Sequence, residues 1–139
     1  MTRAVLPVMV GQGSGSVVTV GSITGKRALF GRSSYATTKA ALIGLTRTLA
    51  AEAGPEGVRV NLVSPGFVAG PRLDWVIEAQ AQARGITPAE VRGEFEAESP
   101  LGRLTEPEDV ARAVVFLASA DAAGMTGVDL NVNSGAVMY

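Results

Sequence analysis

Three short runs spaced along the chain constrain its fold more than any other feature. Ser16-Val17-Val18-Thr19-Val20-Gly21 is β-branched and apolar nearly throughout, the pattern of a strand buried on both faces of a parallel sheet. Val58-Arg59-Val60-Asn61-Leu62-Val63 reads as a second strand with partial alternation, and Pro65-Gly66 is a turn pair that leaves the sheet behind it. Val128-Asp129-Leu130-Asn131-Val132 alternates apolar against polar residues and reads as a third. Helical patterns fill the gaps. One covers residues 33–53, with Ser33 or Ser34 as its cap, Leu42, Leu45 and Leu49 along it, and Gly54-Pro55 as its stop. Two more, residues 73–84 and 88–98, meet at Gly85. A fourth opens at Thr105-Glu106-Pro107-Glu108, which spells a capping box between Thr105 and Glu108, and runs through Val110, Ala113, Val114 and Leu117 to about Ala123-Gly124. Parallel strands joined by right-handed crossovers give an α/β fold. The prediction is a partial doubly wound, Rossmann-like sheet of three strands with flanking helices, in a single domain over residues 1–139.

Composition narrows the chemistry. At 139 residues the chain can bury a real core, and with 47% hydrophobic residues, 18% charged residues and a net charge of −1 it has the balance of a globular protein in water. No basic patch marks a nucleic-acid surface. The absence of cysteine and histidine excludes disulfides, thiol catalysis, a Ser-His-Asp triad and a histidine-ligated metal. Asp74, Glu78, Glu94, Glu96 and Glu98 show no recurring ligand spacing, so they read as a solvated face and no metal site is expected. Residues 3–10 lack a small-residue cleavage site and read as the tail of a helix, not a signal peptide. No run of about eighteen apolar residues is present, so no membrane span is expected and the cytoplasm is the default location.

Tyr35-Ala36-Thr37-Thr38-Lys39 is the pattern that carries chemistry. Four residues apart on a helix, Tyr35 and Lys39 share a face, which brings the ammonium close enough to stabilise a tyrosinate. Ser22, thirteen residues upstream at the end of the first strand-like run, is placed to hydrogen-bond a carbonyl while the tyrosine moves a proton. The spacing alone is common by chance. It arrives here in order with Asn61-Leu62-Val63-Ser64-Pro65-Gly66, Pro100-Leu101-Gly102-Arg103, Pro107-Glu108-Asp109-Val110-Ala111 and Thr126-Gly127. From Arg3 to Ser134 the chain resembles the C-terminal half of the short-chain dehydrogenase/reductases. The resemblance implies an NAD- or NADP-dependent oxidoreductase acting on a small secondary alcohol or ketone. It makes Tyr35 the acid/base, Lys39 its partner and a contact of the nicotinamide ribose, and Ser22 the group that orients the carbonyl. Pro65, Gly66, Phe67 and Val68 would hold the nicotinamide carboxamide. A threonine common in the family is replaced by Gly70. The family also implies a homo-oligomer, with the helix from Ser33 and the last strand as contacts.

Other parts of that resemblance are missing. Dinucleotide binding on such a sheet needs a glycine-rich turn between a first strand and a first helix. Gly11-Gln12-Gly13-Ser14-Gly15 precedes a strand instead of following one, and reads as a flexible turn. The acidic residue that selects the adenosine ribose is absent, and the family's active-site asparagine would fall before Met1. The chain alone is therefore expected not to bind NAD or NADP usefully, and a non-catalytic remnant or assembly piece is the alternative function. Ala36, Ala40, Ala41 and Gly44 permit close packing on the sheet or across a subunit interface. Trp75, Val76, Ile86 and Phe95 are open to a substrate pocket or, more commonly for such spacing, to a core.

Overall fold

The computed structural model describes residues 2–139. In chain order the elements are α1 (Thr2–Gln12), β1 (Gly15–Val20), α2 (Ser33–Ala53), β2 (Val58–Pro65), α3 (Pro71–Arg84), α4 (Pro88–Ala97), α5 (Pro107–Ala118) and β3 (Asp129–Val132). The three strands form one parallel sheet in the order β1-β2-β3. This is the predicted α/β architecture with strand bounds moved by a residue or two. Pairing runs from Gly15↔Val58 to Val20↔Val63 and from Leu62↔Asp129 to Pro65↔Val132. Pro65 is tolerated in the central strand because it falls beyond the last β1–β2 pair, on the side where β1 has already ended.

β2 is buried at every position except Arg59, which is half-buried. One face of the sheet meets α5: Val63, Leu117 and Ala122 form a core with Val18, Val114, Leu130 and Val132 around it. The other face meets α2, where Thr19 and Thr46 hydroxyls lie 3.3 Å apart. Arg59 ends the α5 layer: its guanidinium donates to the carbonyls of Leu117 (2.8 Å) and Ser119 (3.0 Å) at the helix terminus. α3 and α4 build a separate small core from Ile77, Ala81 and Val91, against which Leu73, Ile86 and Phe95 pack.

Several local expectations are corrected. The glycine cluster is an ordered helix end, not a flexible turn. Gly13 N–H bonds Val10 O (3.0 Å), Ser14 N–H bonds Met9 O (3.2 Å), and Gly13 sits at φ 64°, the Schellman arrangement that closes α1. Neither Ser33 nor Ser34 caps α2. The chain enters the helix at Arg32, whose carbonyl accepts from Ala36 N–H at 2.7 Å and whose side chain makes no capping bond. Thr105 does not cap α5 either. Its backbone is engaged in a parallel bridge to Val68, so the capping position moves to Glu106, whose N–H donates to Asp109 Oδ2 at 3.2 Å. α5 ends at Ala118, and a single 3-10 turn at Ala120–Ala122 follows where helix was expected to continue.

Candidate active site at the carboxyl edge of the sheet

β1 delivers the chain to the sheet's carboxyl edge, where ligands bind in open α/β sheets. Gly21 N–H still bonds Val63 O (2.7 Å); Ser22 is then extended, and a 3-10 turn follows at Ile23–Gly25. The Ser22 hydroxyl oxygen accepts from Thr24 N–H at 3.1 Å and lies 3.2 Å from Thr24 Oγ1. This turn presses directly on α2. A Cβ on Gly25 would stand 2.9–3.0 Å from the backbone of Lys39 and Ala40, so only glycine allows the approach. Tyr35 and Lys39 stand one turn apart on α2, with the ammonium 5.7 Å from the Tyr35 ring centroid. Lys39 Nζ donates to Val20 O at 3.0 Å.

Ser22, Tyr35 and Lys39 line a single cleft of about 660 Å³ together with Pro65, Gly66, Phe67 and Val68. The candidate catalytic residues and the candidate nicotinamide contacts thus line one cleft. The Pro65-to-Gly70 segment crosses closely over the end of β3: a Cβ on Gly66 would lie 2.8 Å from Asn133 Cβ. Thr105 N–H donates to Phe67 O and Thr105 O accepts from Ala69 N–H, both at 2.9 Å. Alternation along this short stretch turns the Val68 amide the other way, and neither its N–H nor its C=O has a hydrogen-bond partner among the described residues. Gly70 sits at φ 139°, a backbone region that strains a threonine.

The cleft's other walls divide the four pocket candidates. Val76 and Phe95 line it; Trp75 is exposed outside it, and Ile86 is committed to the α3–α4 core. Phe95 is held edge-to-face on Phe67, centroids 4.6 Å apart, and the Arg27 guanidinium lies 5.3 Å from the Phe67 centroid while bonding Glu98 at 2.7 Å. Phe30 stands at the rim fully exposed. Among the described residues three cations, Arg32, Lys39 and Arg72, line the cleft, and no carboxylate does.

Sequence reasoning missed two features. Arg32 and Arg72 flank the cleft without an acidic partner among the described residues, and no sequence signal separates them from solvated arginines. A buried ion pair, Lys26 to Asp129 at 3.0 Å, spans the molecule behind the Ser22 turn. The only hint of it was the alternation that put Asp129 and Asn131 on one face of the last strand. Among the described residues no cluster of potential metal ligands occurs, and no helix is long and apolar enough to cross a membrane.

A family model described as enoyl-(acyl carrier protein) reductase matches residues 1–137. The chain is 39% identical to the rat (3R)-3-hydroxyacyl-CoA dehydrogenase over 99% of its own length and 49% of that protein's. Among solved structures, sorbitol-6-phosphate 2-dehydrogenase from Erwinia amylovora superposes with a TM-score of 0.92 at 30% identity, covering 99% of this chain and 55% of the other. An NAD+-bound xylitol dehydrogenase superposes with a TM-score of 0.85 at 30% identity, covering 94% and 52%. The chain therefore spans about half the length of these relatives. With the family model matched over nearly all of it and the fold shared with solved members, the chain belongs to the short-chain dehydrogenase/reductases, of which it represents the C-terminal half.

Proposed function

We propose that this chain supplies the acid/base and nicotinamide-contacting half of an NAD(P)-dependent oxidoreductase site that interconverts a secondary alcohol and a ketone. The observation that carries the proposal is the convergence of Ser22, Tyr35 and Lys39 on one cleft beside the unengaged Val68 amide. The residues present fit a nicotinamide. A primary carboxamide offers one acceptor and two donors, which the Val68 N–H and C=O complement. A nicotinamide bound there would supply the hydride acceptor for the alcohol carbon or the hydride donor for the carbonyl carbon. In the oxidation direction the Tyr35 oxygen accepts the hydroxyl proton; in reduction the phenol returns it to the carbonyl oxygen. The Lys39 ammonium, 5.7 Å from the Tyr35 ring centroid, would contact the nicotinamide ribose. Ser22 Oγ donates to Thr24 Oγ1 at 3.2 Å within its own turn, and it would exchange that bond for one to the substrate oxygen. The relatives named above are dehydrogenases of hydroxyl-bearing compounds, which supports the reaction class and leaves the substrate of this chain open.

The test is ketone reduction followed by NADH or NADPH absorbance, with the 139-residue chain alone and co-expressed with the dinucleotide-binding half of a relative. Tyr35→Phe keeps the ring and removes the proton donor, so turnover is expected to fall by roughly two to four orders of magnitude. Unchanged turnover in Tyr35→Phe would sink the assignment. The second reading, an assembly piece without cofactor binding of its own, is favoured by one observation. The glycines that resemble a phosphate loop close the C-terminus of α1, where the helix dipole repels an anion.

A further inference from the structure

We infer that Lys26 and Asp129 are positioning residues for Ser22: their buried ion pair fastens the turn that carries the serine to the far strand of the sheet. The inference rests on the reading of Ser22 as the group that orients the substrate oxygen. Lys26 closes the 3-10 turn, and its N–H donates to Ile23 O at 2.9 Å. Its side chain reaches across the sheet, so that Nζ lies 3.0 Å from Asp129 Oδ2 and 2.5 Å from Asn131 Oδ1. The Lys26 and Asp129 side chains are 8% and 10% exposed. The second Asp129 oxygen accepts the Ser64 hydroxyl at 2.6 Å, and Ser64 Oγ in turn sits where a Cβ on Gly21 would be 3.2 Å away. The register places Ser64, Asp129 and Asn131 on the face that α2 covers. One polar network thus joins β3 and β2 to Lys26, at the end of the turn that follows Ser22.

The chemistry of the pair explains why it is a positioning device. Two charges removed from water contribute little net stability compared with an apolar pair of equal volume, because desolvation offsets their attraction. What they add is direction. A carboxylate sharing its oxygens between an ammonium and a hydroxyl tolerates only a narrow geometry. Ile23 and Thr24 are buried, and the turn's own N–H bonds to Ser22 O and Ile23 O hold its internal shape without tying it to the sheet. Gly25 bars the turn from moving toward α2, and the Lys26 pair holds it from the sheet side. A hydroxyl that must meet a substrate oxygen needs both restraints.

The experiment compares the chain with Lys26→Met, Lys26→Arg and the double variant Lys26→Met/Asp129→Leu. Lys26→Met alone strands a buried carboxylate and can unfold the protein; the double variant removes both charges and keeps the volume. Amide hydrogen exchange by NMR reads the turn through Thr24, Gly25 and Lys26, and the sheet through Leu62, whose N–H donates to Val128 O. In the double variant the three turn amides are expected to exchange about tenfold faster while Leu62 keeps its protection. Lys26→Arg should retain wild-type protection in the turn. Unchanged turn amides in the folded double variant overturn the inference, as does a loss of protection equal at Leu62 and in the turn, which would make the pair a general staple. The reading of Ser22 fails separately: wild-type turnover in Ser22→Ala would remove it and leave the exchange result standing.

Discussion

A glycine at position 25 lets Ser22 stand beside the tyrosine helix, because any Cβ there collides with the backbone of Lys39 and Ala40. Helix backbone cannot yield as a flexible side chain does. Gly25→Ala is therefore expected to destabilise by about 1–3 kcal/mol, the usual result of overpacking, and to displace the Ser22 turn. Urea denaturation reads the first effect and the Thr24 amide shift reads the second; a variant of wild-type stability would show that the turn is not wedged. Gly70 makes the opposite case to intuition. Restoring the family's threonine would place a β-branched residue at φ 139°, so Gly70→Thr should cost about 1–3 kcal/mol in spite of the hydroxyl it supplies. A melting temperature equal to or above that of the parent would refute this.

Among the elements, β1, β2 and α2 were legible because a buried parallel strand and a long helix with a glycine-proline stop leave strong local signals. The start of α5 was not. Thr105 has the right residue type for a cap, but its backbone is taken by the bridge to Val68, a contact that spans 37 residues of chain and leaves no local trace. Distant partners also explain why Tyr35, Lys39 and Ser22 were readable as a motif while Lys26 and Asp129 were not. The cap that formed instead has a pH signature. Hydrogen bonding from Arg103, and then from the Glu106 N–H, holds the Asp109 carboxyl below the ordinary aspartate range. A lowered folded-state value means that this contribution is complete above the ordinary aspartate value and disappears as pH falls through the lowered one. The first turn of α5 is expected to lose protection only in that acid window, with Asp109→Asn losing it at neutral pH. Protection of the α5 N-terminus that is flat down to full carboxylate protonation would show that the carboxylate plays no part. At the other end of α5, Arg59→Met leaves the Leu117 and Ser119 carbonyls without a charged donor, and thermal denaturation is expected to show a loss of about 1.5–3 kcal/mol.

For the whole molecule, the outer edge of β1 decides the most. Among the described residues β1 has β2 as its only strand partner. Because Gly21 N–H turns toward β2, alternation sends the N–H and C=O groups of Ser16, Val18 and Val20 outward, and of these the Val20 carbonyl is already held by Lys39. An open strand edge beside exposed Val20, with no buried residue on α1 to shield it, is a template for pairing. Phe116 and Val115 on α5 add exposed apolar surface. The chain is thus expected to self-associate at micromolar concentration, and Val20→Lys, which places a charge on that edge, should shift it toward monomer without unfolding it. Cofactor affinity belongs to the same scale. Under the proposed reading this chain supplies only the nicotinamide end of a cofactor site, so calorimetric titration of NADH into the chain alone should show no micromolar binding, whereas the chain paired with a dinucleotide-binding half should bind. Light scattering of the parent and of Val20→Lys completes the argument: a stable monomer in both would mean that α1 or the cleft loops already protect the edge, and tight NADH binding by such a monomer would show that half of this fold can hold the cofactor by itself.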